Sequence, residues 1–106
     1  SKSNKNSAEA QSIHITIQVL KNKNVTVKNS TGKIMEYRIS LNTNIIVNDF
    51  LTGDEILNQN FTYNSSYKVQ NQQAETLQLE NKTIEKLLNK TYEDFLIKMS
   101  EKMLSK

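Results

Sequence analysis

His14 is the chain's single histidine, the side chain type that moves protons or holds a metal near neutral pH. It stands in "IHITIQVL", a run without Asp or Glu, and the chain has no Cys. Neighbours in sequence therefore supply neither a metal site nor a nucleophilic triad around it. It reads as a solvent-facing strand residue. Two carboxylate pairs, Asp54 with Glu55 and Glu93 with Asp94, have the residue types for general acid–base work. The first lies in "TGDE", where Asp favours local turn hydrogen bonds and adjacent strand-end residues point to opposite sides. The second lies in a helical stretch, about 100° apart around the axis, and reads as part of a wet face. The chain has no Gly-rich phosphate loop, nucleophile elbow or metal-spaced cluster, so a binding protein without catalytic residues or cofactor is expected.

The basic residues read either as lysines that solubilise exposed strand ends and edges, the more frequent case, or as an anion-contacting surface. Lys21, Lys23, Lys28, Lys33 and Arg38 crowd two predicted strands around their shared turn, and Lys68 follows the third strand beside the predicted helix start. A hairpin brings its turn-side residues together, so Lys28 and Lys33 should form a small positive tip. The net charge of +3 and isoelectric point near 9.1 favour anionic partners only mildly. Nucleic acid is not expected, because Arg occurs once and Tyr37, Phe61 and Tyr63 fall on the apolar face.

Those residues are positioned by four predicted elements. Ile13, Ile15, Ile17 and Val19 alternate with polar residues, and Val25 and Val27 resume the same parity, so "KNKN" reads as a wet stretch of one long strand. Gly32 in "NSTGK" supplies a tight reversal. Met35, Tyr37, Ile39, Leu41, Thr43, Ile45 and Val47 then mark a second long strand, "NDFLTGDE" a second turn, and "ILNQNFTY" a third strand. From about Lys68 the period lengthens towards four: Leu77, Ile84, Leu88, Tyr92, Phe95, Met99 and Met103 form the stripe of one long amphipathic helix. Its stripe is the natural cover for the sheet. The expected architecture is α+β: an antiparallel meander of three long strands packed against one C-terminal helix, in two layers.

Residues 1–12, "SKSNKNSAEAQS", are polar and without periodicity and read as a lead-in, so the single domain is expected over residues 13–104. They carry no apolar segment like that of a signal peptide; any targeting segment is expected upstream or already removed. The first strand's outer edge carries no Pro and faces nothing in the predicted order, so something else is expected to pair there.

Taken together, "STGKIMEYRISLNTNIIVNDFLTGDEILNQNFTYNSSYKVQNQQAETLQLENKTIEKLLNKTYEDFLIKM" resembles the lipopolysaccharide-assembly lipoproteins of Gram-negative bacteria, the LptE (RlpB) family. The likeness lies in a turn followed by "EYR" opening a long strand, a "TG" turn, a strand ending in "FTY", and a tail helix rich in Glu, Lys and Leu. It covers roughly Ile13 to Met103. The resemblance implies a non-catalytic outer-membrane subunit, lipid-anchored on the periplasmic side through an upstream Cys. It would plug and support a β-barrel partner of the lipopolysaccharide export machine and bind lipopolysaccharide. It further implies lipid contacts near the strand tip and the start of the last helix. The tip turn here is longer by a couple of residues, and Lys28, Lys33 and Lys68 are the nearest basic matches.

The chain departs from that pattern in lacking the lipidated Cys and the strand and helix that normally precede the meander. A fragment or a short divergent member is expected, with the open strand edge as the place for a missing strand or for a homodimer of the isolated domain. The alternative reading is a soluble α+β interaction module that binds a partner by β-strand addition.

Overall fold

A computed structural model describes residues 12–104. The expected lead-in therefore lies, apart from Ser12, outside the described residues. The period-two runs form β1 (Ile13–Lys28), β2 (Ile34–Asp49) and β3 (Glu55–Lys68), antiparallel in the order β1-β2-β3, and α1 (Gln73–Leu104) follows. The α+β meander with one helix is thus the observed fold. The strands run to 16, 16 and 14 residues, against about 5–6 in ordinary sheets, and the domain is a rod of 68 × 24 × 19 Å.

Sequence chemistry explains each boundary. "KNKN" lies inside β1, with Lys21 to Asn24 paired to Leu41 through Arg38, and a bulge at Thr26 shifts the register before the turn. At that turn the Asn29 Oδ1 accepts from the Thr31 and Lys33 N–H groups, and Gly32 sits at φ 86°. At the other end Asp49 Oδ1 accepts from the Leu51 and Thr52 N–H groups, and Gly53 sits at φ 79°. β3 continues beyond the apolar run that ends at Tyr63. Tyr67 keeps the odd parity, pairs with Tyr37 and is buried, so the ladder extends to Lys68 and α1 starts only at Gln73.

The core has two clusters. Ile39, Leu41, Tyr67 and Leu87 form one; Ile45, Val47, Leu57 and Phe61 form the other, closed by Phe95 and Met99 of the helix. Thr43 lies between them in the β2 sequence, 2% exposed, and its Oγ1 has no hydrogen-bond partner. An unpaired buried hydroxyl costs roughly 1–3 kcal/mol. Thr43→Val, nearly equal in volume, should therefore stabilise the domain by about 1 kcal/mol, visible as a higher urea midpoint with an unchanged slope.

The helix does not cover the whole sheet as expected. α1 packs on β3 and β2, and every residue of β1 is exposed. Its buried positions are Thr83, Leu87 and Thr91, while Leu77, Leu88, Tyr92 and Met103 of the expected stripe are exposed. Both buried threonines remain satisfied by donating to the backbone one turn earlier, Thr83 to the Leu79 carbonyl and Thr91 to the Leu87 carbonyl. The apolar stripe is therefore wider than the helix's own seat, and part of it faces away from the sheet.

Candidate functional site

Lys23 and Glu80 form a link between β1 and α1, 57 residues apart in sequence: the Lys23 Nζ donates to the Glu80 Oε1 at 2.7 Å. The Tyr67 hydroxyl donates to the same oxygen at 2.5 Å. The Lys23 ammonium also lies 4.4 Å from the centroid of the Tyr37 ring, which tilts against Tyr67 with centroids 5.8 Å apart. Further along the helix the Tyr63 hydroxyl donates to Asp94, which Lys90 also approaches. Asp94 is thus half-buried against β3 rather than part of the wet face, because a tyrosine across the layer captures it.

These contacts hold protons in defined places. The Lys23 hydrogen bond, with that of Tyr67, pulls the Glu80 carboxyl below its ordinary value and the same bond raises Lys23. The Asp94 bond raises Tyr63 to about 12, and burial with the Glu80 bond raises Tyr67 to about 12. The raised groups contribute stability that is complete below their ordinary values, 10.0 for tyrosine and 10.5 for lysine, and is lost as pH rises through the folded ones. Glu80 contributes stability present above 4.5 and lost as pH falls through its lower folded value. Phenolate absorbance should accordingly show two tyrosines titrating late, near 12; Tyr63→Phe and Tyr67→Phe should each remove one.

The three lysines singled out in sequence lie at one end of the rod and line two cavities. Lys28 and Lys68 line one cavity of about 510 Å³ at the tip, together with Val27, Asn29, Met35, Glu36 and Val69. β2 sits between their strands: Lys28 pairs with Ile34 and Lys68 with Glu36. Lys33 stays beside Lys28 across the turn, where the Asn29 N–H donates to the Lys33 carbonyl, but it lines a different cavity of about 360 Å³, with Lys23, Tyr37, Leu77 and Glu80 among its walls. Two ammonium groups and the Glu36 carboxylate thus stand beside Val27, Met35 and Val69, a lining that joins charge to apolar surface. Sequence reading missed Met35 and Val69 as lining residues. The signal was the antiparallel register, which returns the end of β3 to the start of β2.

The opposite face of the sheet is mostly polar. His14 is exposed and paired with Asn48, and successive rows hold Thr16 with Ile46 and Asn58, Gln18 with Asn44 and Asn60, Leu20 with Asn42 and Thr62, and Asn22 with Ser40 and Asn64, so Ile46 and Leu20 are its apolar members. The Asn44 amide donates to the side-chain oxygens of Asn58 at 3.2 Å and Asn60 at 2.8 Å, tying β2 to β3. Among the described residues no cluster of His, Asp and Glu has metal-holding geometry, and no helix is long and apolar enough to cross a membrane. No protein-family model and no curated protein matches the chain.

Proposed function

We propose that this chain is a non-enzymatic subunit of an outer-membrane assembly, which stands inside a β-barrel partner, supports it, and binds lipopolysaccharide during its passage to the cell surface. The observation that carries the reading is the shape and surface of the rod. The rod is 24 Å or less across in its narrow directions, long, and on the outer face of its sheet mostly amides and hydroxyls, with Leu20 and Ile46 among them. Such a face suits the polar lumen wall of a large barrel, where donors and acceptors must be met at every step. The tip cavity with Lys28 and Lys68 supplies the phosphate contacts, and Val27, Met35 and Val69 the apolar ones. The resemblance to the lipopolysaccharide-assembly lipoproteins supplies the cargo, the location at the periplasmic side of the outer membrane, and an anchor on a Cys upstream of Ser1.

Titrating the chain with lipopolysaccharide and with a neutral lipid of equal chain length tests the cargo. The reading expects saturable binding to lipopolysaccharide that weakens as salt rises, and none to the neutral lipid. Equal binding to both, or to neither, contradicts it.

One observation favours the second reading. β1 pairs with β2 alone, and its other edge presents unpaired N–H and C=O groups along a segment, "IHITIQVL", without charge or Pro. A soluble module of this kind would add a partner's strand at that edge. It predicts protection of alternate β1 amides from hydrogen exchange upon binding an extended peptide, with no requirement for lipid.

A further inference from the structure

The surface that the helix leaves open is coherent. Ile13, Ile15, Ile17 and Val19 of β1 pair with Asp49, Val47, Ile45 and Thr43 and so lie on the helix side of the sheet, yet are 40%, 41%, 58% and 48% exposed. The helix flank beside them is identified by its neighbours. Ile97 and Asp94 face β3, lining a cavity with Gln59 to Tyr63, whereas Leu77 faces Lys23 and Tyr37 on the β1 side. At 100° per residue, Phe95 and Met99, which close the core, lie about 0° and 40° round from Leu77 with Leu88 between them, and Tyr92 at about 60°, Glu85 and Met103 at about 80°, and Leu96 at about 100° turn away beyond them. Leu88, Tyr92, Leu96 and Met103 are all exposed. Floor and wall together make one open apolar surface.

We infer that a second copy of this chain covers that surface, the two copies being related by a two-fold axis parallel to their helices. Each α1 would lie beside the other, with its outward flank on the partner's β1, giving the order sheet, helix pair, sheet. The two surfaces are complementary along their length. The Lys23–Glu80 bond fixes one height, and from it a helix climbs about 1.5 Å and a strand about 3.3 Å per residue. On that scale Glu85 stands level with Lys21, Leu88 with Val19, Tyr92 with Ile17, Leu96 with Ile15 to Ile17, and Met103 with Ile13. Phe95 and Met99, which pack on the cluster holding Ile45 and Val47, stand on that scale level with Ile15 to Ile17, the β1 partners of Val47 and Ile45.

A two-fold axis along the helices preserves heights. It sets the second copy's Glu85 against Lys21 and its Tyr92, Leu96 and Met103 against the isoleucines, so charge meets charge and apolar meets apolar. Reversing the second helix would set its apolar end on Lys21 and Lys23. The polar residues 1–12 contain Ala8 and Ala10 as their sole apolar side chains and cannot supply such a cover. The interface uses the inner face of β1 and leaves its free edge and the tip cavity open, so the inference stands or falls apart from the barrel and lipid readings.

Sedimentation equilibrium of the 106-residue chain should give twice the 12.2 kDa chain mass at about 100 μM. Tyr92→Lys with Leu96→Lys should give the chain mass with an unchanged circular dichroism spectrum, since these side chains are 61% and 44% exposed. Lys21→Glu should weaken the dimer at least tenfold and Glu85→Lys in the same chain should restore it, which decides the matter should the double lysine variant not fold. A monomer at about 100 μM, a dimer untouched by the helix substitutions, as pairing through the β1 edge would leave it, or a charge swap without rescue overturns the inference.

Discussion

Ile39→Ala should lower the stability of the domain by about 2–5 kcal/mol, enough to leave a domain of this size partly unfolded at 37 °C. Ile39 is 0% exposed and belongs to the cluster of Leu41, Tyr67 and Leu87, the residues through which β2, β3 and α1 meet. The deletion removes apolar burial and leaves a cavity that three extended elements cannot collapse to fill, because each is pinned by its ladder or its helix. Leu20→Ala, at a position 68% exposed on β1, should change stability by less than about 0.5 kcal/mol. Urea unfolding of the two variants side by side measures the difference. Equal effects would mean that the seat of α1 on the sheet is not where the stability resides.

The second large effect concerns the tip. Reversing Lys28 and Lys68 together to Glu should weaken binding of lipopolysaccharide by on the order of thirtyfold, because two attractions become two repulsions beside Glu36, already present in the same cavity. Lys33→Glu should change it by less than about threefold, since Lys33 lines a separate cavity in which Lys23 and Glu80 already neutralise each other. The contrast between the pair and the single reversal, measured at one salt concentration, separates a site at the tip from a diffuse response to net charge. Circular dichroism should be unchanged in both, as all three side chains are exposed.

Much of the fold was legible because the strands keep one parity over most of their length, broken in β1 where the bulge sets Val27, expected to continue the face of Val25, against Glu36. Ile13 to Val19, Tyr37 to Val47, and Leu57 to Tyr63 each mark a single face, and the turns carry the Asn, Asp and Gly that their geometry requires. What periodicity did not carry were contacts across layers. Asp94 looked like one more polar residue on a helix until Tyr63, 31 positions away, was placed beside it. Lys23 looked like part of a basic tip until Glu80 was set against it.

The helix stripe shows the same limit from the other side. The apolar arc from Leu77 to Met103 was plain in the sequence, but a moment has no knowledge of which part of the arc meets its own sheet. The seat is centred on Leu87 between two threonines, and threonine at a buried helix position carries no apolar signal to announce it. As for the site, Lys28 and Lys68 were found by their charge, whereas Met35 and Val69 enter the cavity only through the pairing of β2 with the end of β3.

The central claim, a subunit that stands inside a barrel, is tested most directly by purifying the tagged full-length protein from detergent-solubilised membranes of its own organism and identifying by mass spectrometry what co-elutes and what its N-terminal peptide carries. The account predicts a stoichiometric large outer-membrane β-barrel and an acylated N-terminal Cys. A soluble, unacylated protein without a barrel would contradict it and leave the free edge of β1 as the place where a partner binds.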